Sequence, residues 1–376
     1  MADNNARKGW RAFTAGAILL GFILLFADFL ANDKPIVCRC DGTWDMPVLM
    51  KKNVLSDISY DRCSFVVMPP VRYSPYTIDK NNGRYTSPLS EQNVSSFWYR
   101  HWLGTDQIGR DVAAGIIHGA RISLFIGLTA TFFGLLLGLP FGLFLGYFQD
   151  NGLRLNGAQM AIFALFITLF IFYFTYAEIS LFAGILYGIF SMVVVFFLLR
   201  SAGRLPWQKY PVPLDLVGFR ILEWRKSIPA LFLLLALLTV FARPSVWQVI
   251  LIIGLLSWSD IARLVRSETL SVKSRLYVLS AEAMGFSHGY IIRKYILPGL
   301  QSTVFVIAMY MLAGSVLMES TLSFLGLGLP VEEVTWGKML ASSRDVKAWW
   351  MAVFPGGCLV LLLYWLYKGS DLHAKR

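Results

Sequence analysis

The run ISLFIGLTATFFGLLLGLPFGLFLGYF, from Ile122 to Phe148, contains no charged side chain. A helix rises about 1.5 Å per residue and the hydrocarbon layer is about 30 Å thick, so this run can cross a membrane as a helix. Within it Gly134, Gly138, Gly142 and Gly146 recur at every fourth position and fall on one face, where another backbone can approach closely. The plainer reading is a helix packed inside its own bundle; a dimerisation face is the alternative.

Outward from this run the rest of the chain reads as further spans. Residues 13–30 follow Arg7, Lys8 and Arg11. The basic start imitates a secretory leader, but the apolar run is longer than a usual signal core and Phe29 to Pro35 offers no small-residue cleavage pair, so an uncleaved anchor is expected. In residues 158–199 Glu178 is the only charged side chain, and a helix of that length would reach about 63 Å, so two helices with a turn near Tyr176 to Ser180 are expected. A short run from Ile228 to Ala242, a break at Arg243-Pro244-Ser245, and runs at Val246–Ile261, Pro298–Leu322 and Val353–Tyr367 bring the total to eight, two of them short. Residues 200–227 and 262–295 read as polar stretches between spans.

Whole-chain composition agrees: 56% hydrophobic, 15% charged and a mean hydropathy of +0.57, against about 25% charged for an ordinary soluble domain. A soluble enzyme is excluded on this ground. The net charge of +11 could suggest nucleic acid, but its distribution points to a bilayer. With the N-terminus placed inside, 19 basic residues fall on that side against the eight acids Asp3, Asp150, Asp215, Glu223, Asp260, Glu268, Glu282 and Asp371, while the other side balances to zero. Basic residues concentrate on cytoplasmic loops, so both termini are expected in the cytoplasm, with no nucleic-acid partner.

Residues 32–118 form one long polar region outside the membrane, interrupted by Pro35, Pro47, Pro69, Pro70, Pro75 and Pro88, with strand-like pieces such as Cys63 to Met68. Cys38, Cys40 and Cys63 lie there, and a disulfide from Cys63 to Cys38 or to Cys40 is open in an oxidising compartment. No GxxxxGK[ST] or HExxH occurs, and the four His stand apart at 101, 118, 288 and 373. A phosphate-cradling loop, a catalytic site and a metal site are therefore not expected in this chain.

Two motifs carry a family resemblance. The first runs Tyr277-Val-Leu279-Ser280-Ala281-Glu282-Ala283-Met284-Gly285-Phe286 and on to Leu297-Pro298: a short helix, a break at Gly285 and a second helix. It resembles the EAA loop of ABC-importer permeases, a segment that in that family docks in a cleft of the ATPase subunit. Ala281, Gly285 and Leu297-Pro298 stand at the family's positions, whereas Leu279 and Ser280 replace its Glu and first Ala, and Glu282 sits where a basic residue is common.

The second motif is Leu103-Gly104-Thr105-Asp106 with Gly109-Arg110-Asp111, followed by Gly119-Ala120-Arg121. It is similar to the C-type permease of dipeptide and oligopeptide importers. Ser257-Trp258 to Arg263–Arg266, Glu319 to Gly326 and Gly328, Trp336-Gly337 and Trp349-Trp350 match the same group in order. Ala31 to Pro35, Met68-Pro69-Pro70 and Tyr73 to Ile78 resemble its branch linked to peptide and microcin C uptake.

A lone Gly-Thr-Asp or Gly-Arg-Asp is ordinarily a capped turn. Asp106, Arg110 and Asp111 read as an ion-pair cluster holding the outer helices, with direct contact to peptide or binding protein as the functional alternative. Glu319 reads as an interfacial acid facing water, with a functional buried acid as its alternative.

The resemblance implies an all-α integral membrane protein with the type I importer permease fold. Its divisions are 1–31 (cytoplasmic start and first span), 32–118 (periplasmic loop region), 119–148 (span), 149–219 (an inserted transmembrane hairpin, expected to face lipid, and a basic loop) and 220–376 (permease core with the coupling loop at 277–298). For that loop to stay cytoplasmic the insert must cross an even number of times. The implied partners are a second homologous permease, two ABC ATPase subunits holding ATP and Mg, a periplasmic solute-binding protein and a peptide substrate, in the bacterial inner membrane. An ion-gradient-driven secondary transporter or channel is the rival, for which inverted repeats and intramembrane acid pairs would be the signal; the sequence has no internal repeat and no deep acid pair.

Overall fold

The computed structural model describes residues 2–374 except 41–42, 50–62, 95, 152–153, 177–190, 192, 196, 199, 203–208, 240–244, 331–332 and 345–347. The expected turn near Glu178 and the Arg243-Pro244 break lie outside the described residues. In chain order the helices are α1 (Ala2–Leu30), α2 (Val112–Phe148), α3 (Gly157–Tyr176), α4 (Leu214–Ser227), α5 (Ala230–Thr239), α6 (Val246–Lys273), α7 (Leu276–Ala283), α8 (His288–Ile291), α9 (Leu297–Phe324), α10 (Trp336–Ala341) and α11 (Trp349–Ala374). Among the described residues five helical segments are long and apolar enough to cross a membrane: Gly9–Leu30, Val112–Phe148, Val246–Lys273, His288–Phe324 and Trp349–Ala374. The described part of α5, 10 residues, spans about 15 Å.

The glycine stripe of α2 builds the centre. It faces α6, whose own fourth-residue series Gly254, Trp258, Ala262 and Arg266 presents backbone carbonyls, with the side chains of Ser257, Ile261 and Thr269 beside them. A Cβ on Gly138 would stand 2.5 Å from the Trp258 oxygen and one on Gly146 2.8 Å from that of Arg266, while on Gly142 it would overlap the Ala262 carbonyl. Gly254 returns the relation, with its Cβ position 3.0 Å from the Ala130 oxygen. The stripe is thus spent inside the chain. Around this seam Ile126, Ala130, Val249, Ile250, Ile253 and Leu234 form one apolar core. A second, built from Leu124, Leu312, Val316, Trp336, Trp350 and Leu362, joins α2, α9, α10 and α11.

Two stretches expected to be polar connections are helical. α6 continues through Ala262 to Lys273, and residues 214–227 form α4, which buries Gly218 and Leu222. α4 is fixed by charge: Arg266 pairs with Asp215 of α4, and Arg225 of α4 reaches Asp260 at 2.6 Å. Asp150 accepts from the backbone N–H of Asp215 and Leu216, a carboxylate at a helix start where it offsets the positive end of the dipole.

The strand β4 (Arg154–Asn156) pairs antiparallel with β5 (Lys209–Pro211), Asn156 opposite Lys209. The segment between them leaves and returns at one point. Outside the membrane, β1 (Val37–Cys40) lies between β2 (Thr43–Asp45) and β3 (Phe65–Val67), all antiparallel. The pairing Arg39↔Phe65 brings Cys40 to Cys63, and these two form the disulfide; Cys38 is buried and free. Alkylation after denaturation without reductant is expected to label two thiols, Cys38 and Cys358, and after reduction all four, read by intact mass. Overpacking a close seam costs about 1–3 kcal/mol or more. Gly142→Leu should therefore abolish the monodisperse detergent-purified protein, whereas Gly314→Leu, with nothing within 4 Å of its added Cβ, should purify like the wild type.

Candidate functional site

The inner motif forms a helix, a sharp turn and a second helix. Val278 and Ala281 point into the core against Ile291, Ile296 and Leu300. Ala281 is thereby a packing residue, and the outward surface of α7 is formed by Leu276, Tyr277, Leu279, Ser280 and Ala283, continued by Met284 and Phe286. Leu276 is 82% and Met284 66% exposed. Gly285 has φ +78°, the left-handed region that glycine enters freely. Its N–H donates to the Glu282 oxygen (3.0 Å) and that of Phe286 to the Ala281 oxygen (3.3 Å), the pair of bonds that closes a Schellman helix end. Glu282 is half-buried.

Beyond the turn, α8 passes through a π-helical stretch at Ile292–Ile296 into α9, with Pro298 in the first turn, where its missing N–H costs nothing. The assembly hangs on the inner end of α2: the Tyr147 hydroxyl bonds His288 Nδ1 at 2.9 Å, and Lys273 Nζ donates to the Tyr147 carbonyl at 2.6 Å. Gly285-Phe286-Ser287-His288-Gly289 also fits the G-x-S-x-G spacing of a nucleophile elbow. That device needs a strand entering a helix, and here a helix precedes the turn, so the spacing carries no nucleophile.

The outer motif lies in the cap over α2. Gly104 and Gly109 have φ +80° and +93°. Between them Asp106 Oδ1 accepts from the N–H of Ile108 (3.0 Å) and Arg110 (2.8 Å). Thr105 Oγ1 donates to the Asn82 oxygen at 2.7 Å, and its carbonyl accepts from Trp350 Nε1 at 3.1 Å. Asp111 caps α2 through the N–H of Ala114 (2.8 Å), and its other oxygen meets His101 Nδ1 at 2.8 Å. His101 Nε2 faces Asp79 at 3.3 Å. The expected ion-pair cluster is therefore replaced: Asp111 pairs with His101, Asp106 serves the turn, and Arg110 makes no ion pair among the described residues. The two acids are taken up by nearer backbone donors and the imidazole, which leaves the guanidinium Nε without a hydrogen-bond partner among the described residues.

Gly119 packs on Trp336, whose Nε1 donates to the Ile116 oxygen at 2.9 Å. Ala120 is buried in the α2 core, and Arg121 pairs with Asp28 of α1 at 2.7 Å. Glu319 does not face water. It is fully buried, accepting from Ser123 (2.9 Å), Ser323 (2.8 Å) and Ser320 (3.4 Å), so hydroxyls of α2 and α9 take the place of solvent. Gly326 turns the chain at φ +78° and Gly328 packs back on Ser323.

Residues 200–375 match the family of binding-protein-dependent transport system inner membrane components. The chain is 25% identical over 375 residues to the inner membrane ABC transporter permease protein YejE of Escherichia coli K12, covering 95% of this chain and 89% of that one. Residues 200–375 carry that family's pattern, and over almost its whole length the chain is similar to ABC-importer permeases. The permease is also 26% identical over 381 residues to a peptidoglycan transport system permease protein YejE of Agrobacterium fabrum, covering 92% of this chain and 83% of the relative. With the oligopeptide transport system permease protein OppC of Salmonella typhimurium it shares 36% identity over 154 residues, 40% of this chain and 50% of the relative. Its helical core is that of a type I importer permease, and it is a multi-pass membrane protein.

Sequence reading did not bring His101, Asp79 and Tyr73 of the cap together as one cluster. The adjacency of His101 to Trp102-Leu103-Gly104 and the place of Tyr73 in its own matched run were the available signals. The Tyr73 ring stacks on that of His101 at 4.2 Å and its hydroxyl donates to the Tyr99 oxygen. Burial first, then the charges of Asp79 and Asp111, push this phenol up to about 12. Burial alone would lower His101, but the hydrogen bonds and charges of Asp111 and Asp79 outweigh it and raise its pKa above the ordinary imidazole value.

A raised folded pKa gives stability that is complete below about 6.5 and is lost as pH rises through the folded value. Asp79 is lowered: burial opposes this, and the bonds from Asn82, Asn81 and His101 prevail. Its contribution is lost as pH falls below the ordinary carboxylate range. The cap should therefore resist proteolysis best between about pH 4.5 and 6.5. His101→Ala, which strips buried Asp111 of its partner, should cost roughly 3–5 kcal/mol and remove the alkaline slope in a pH series of limited proteolysis.

Proposed function

We propose that the permease is the translocation subunit of an ATP-driven importer of peptides in the bacterial inner membrane, with both termini cytoplasmic. A second homologous permease completes the path, two ABC ATPase subunits supply ATP and Mg, and a periplasmic solute-binding protein delivers the cargo. The chain itself contributes no catalytic group and no cofactor. The observation that carries this reading is the outward ridge Leu279, Met284 and Phe286 around Gly285, held on the ends of α2, α6 and α9 and on the side the charge balance assigns to the cytoplasm. Exposed apolar side chains beside a rigid turn are what a partner cleft can grip.

Coupling then has a physical route. A ligand shifts a two-state equilibrium only through its different affinity for the two states. An ATPase pair that closes on ATP would pull α7, and through the Tyr147–His288 and Lys273–Tyr147 bonds would move the inner end of α2. Peptide cargo is supported by the likeness to permeases named for oligopeptide and peptidoglycan transport.

Affinity purification in mild detergent should bring down ATPase subunits and a second permease. At Gly285 a side chain meets no neighbour, so Gly285→Val costs only the left-handed backbone, about 1–2 kcal/mol. It should insert normally yet lower peptide uptake at least tenfold. Peptide uptake at the wild-type rate by this variant, or uptake abolished by proton uncouplers while insensitive to ATP depletion, would overturn the reading.

A further inference from the structure

An outer cavity of about 330 Å³ lies between the Asp106–Asp111 turn, α10 and the outer end of α9. Its walls combine the Arg110 guanidinium with apolar Leu329, Val334, Met339 and Met351. Lys338 also lines it, but its Nζ is spent on the carbonyls of Pro330 and Glu333. Arg110 is different. Its Nε is buried without a hydrogen-bond partner, and no ion pair to it exists among the described residues. The nearest acids are used elsewhere, Asp106 by two backbone N–H groups and Asp111 by His101 and the start of α2.

We propose that this cavity is a cargo subsite that takes the C-terminal residue of a peptide, its carboxylate on Arg110 and its side chain among Leu329, Val334 and Met339. The inference rests on the reading of the protein as a peptide permease. A guanidinium presents a planar fork matched to a carboxylate. A buried donor with no partner among the described residues calls for an acceptor, and a carboxylate supplies one. The mixed lining supplies the rest: with Asp106, Asp111 and Lys338 engaged within the protein, Arg110 is the free anchor beside the apolar walls, and the volume suits one or two amino-acid residues. Glu333, on the same wall, stands where an acid would reject a second carboxylate, so peptides ending in Asp or Glu should be taken less well than those ending in Leu or Met.

The test compares uptake of one peptide with a free and with an amidated C-terminus, in cells carrying wild type, Arg110→Lys or Arg110→Gln together with the full importer. Wild type should show a KM for the amide at least tenfold higher. Arg110→Gln should raise the KM of the free acid to that same level and leave the amide unchanged, with Arg110→Lys between. Equal KM values for acid and amide in wild type would overturn the proposal. So would a change in Arg110→Gln that is the same for both peptides, which would place the partner carboxylate on the binding protein instead. Should Arg110→Gln fail to assemble, Val334→Phe narrows the pocket without touching the guanidinium. It should raise KM for peptides ending in Leu more than for those ending in Gly, and an equal effect on both would overturn the site. Failure of wild type to import either peptide would strike the functional reading itself.

Discussion

The contact between backbones along α2 and α6 governs the rest. Helices normally keep axes 8–10 Å apart because side chains stand between them. Where one helix offers only hydrogen atoms at every fourth position and the other offers carbonyls, dispersion contact runs along the main chain itself. Such a seam tolerates little sliding, since the carbonyls of Trp258, Ala262 and Arg266 each face a glycine. α4, the coupling turn and the outer cap are attached to the ends of these two helices, so each inherits its position from the seam.

The two ends differ in how they are made fast. On the inner side the attachments are charged and half-buried: Asp215 to Arg266, Asp260 to Arg225 and Arg263. On the outer side the Arg121–Asp28 and His101–Asp111 pairs are joined by many uncharged hydrogen bonds, with Trp336 and Trp350 donating indole N–H groups to the backbone oxygens of Ile116 and Thr105. Glu319 belongs to this second kind. Hydroxyls surround its carboxyl group, and that of Ser123 ties α9 to α2.

Much of this was legible in the sequence. The spans at α1, α2, α6, α9 and α11 follow from apolar length alone, and the turn at Gly285 from its place between two short helices. Glycine spacing announced a close contact but could not name the partner, because α6 meets it with carbonyls that every residue possesses. The reading of 200–227 as loop failed because α4 is stabilised by pairs reaching to Asp150, Asp260 and Arg266, none local in sequence. The pairing of Arg110 with its neighbouring acids failed for another reason. The positive φ values at Gly104 and Gly109 fold the turn so that backbone N–H groups reach Asp106 first, and His101, ten positions upstream, arrives at Asp111 instead.

The short ladder of Arg154–Asn156 with Lys209–Pro211 carries a consequence for how such a chain can vary. Facing residues of an antiparallel pair stand about 5 Å apart, so everything between them forms a loop whose entrance and exit coincide. Material can be lengthened, trimmed or exchanged within that loop without displacing α4 or reversing the direction in which α6 enters the bilayer. The ladder is a clasp at the foot of the segment, and what it encloses can diverge while the clasp is kept.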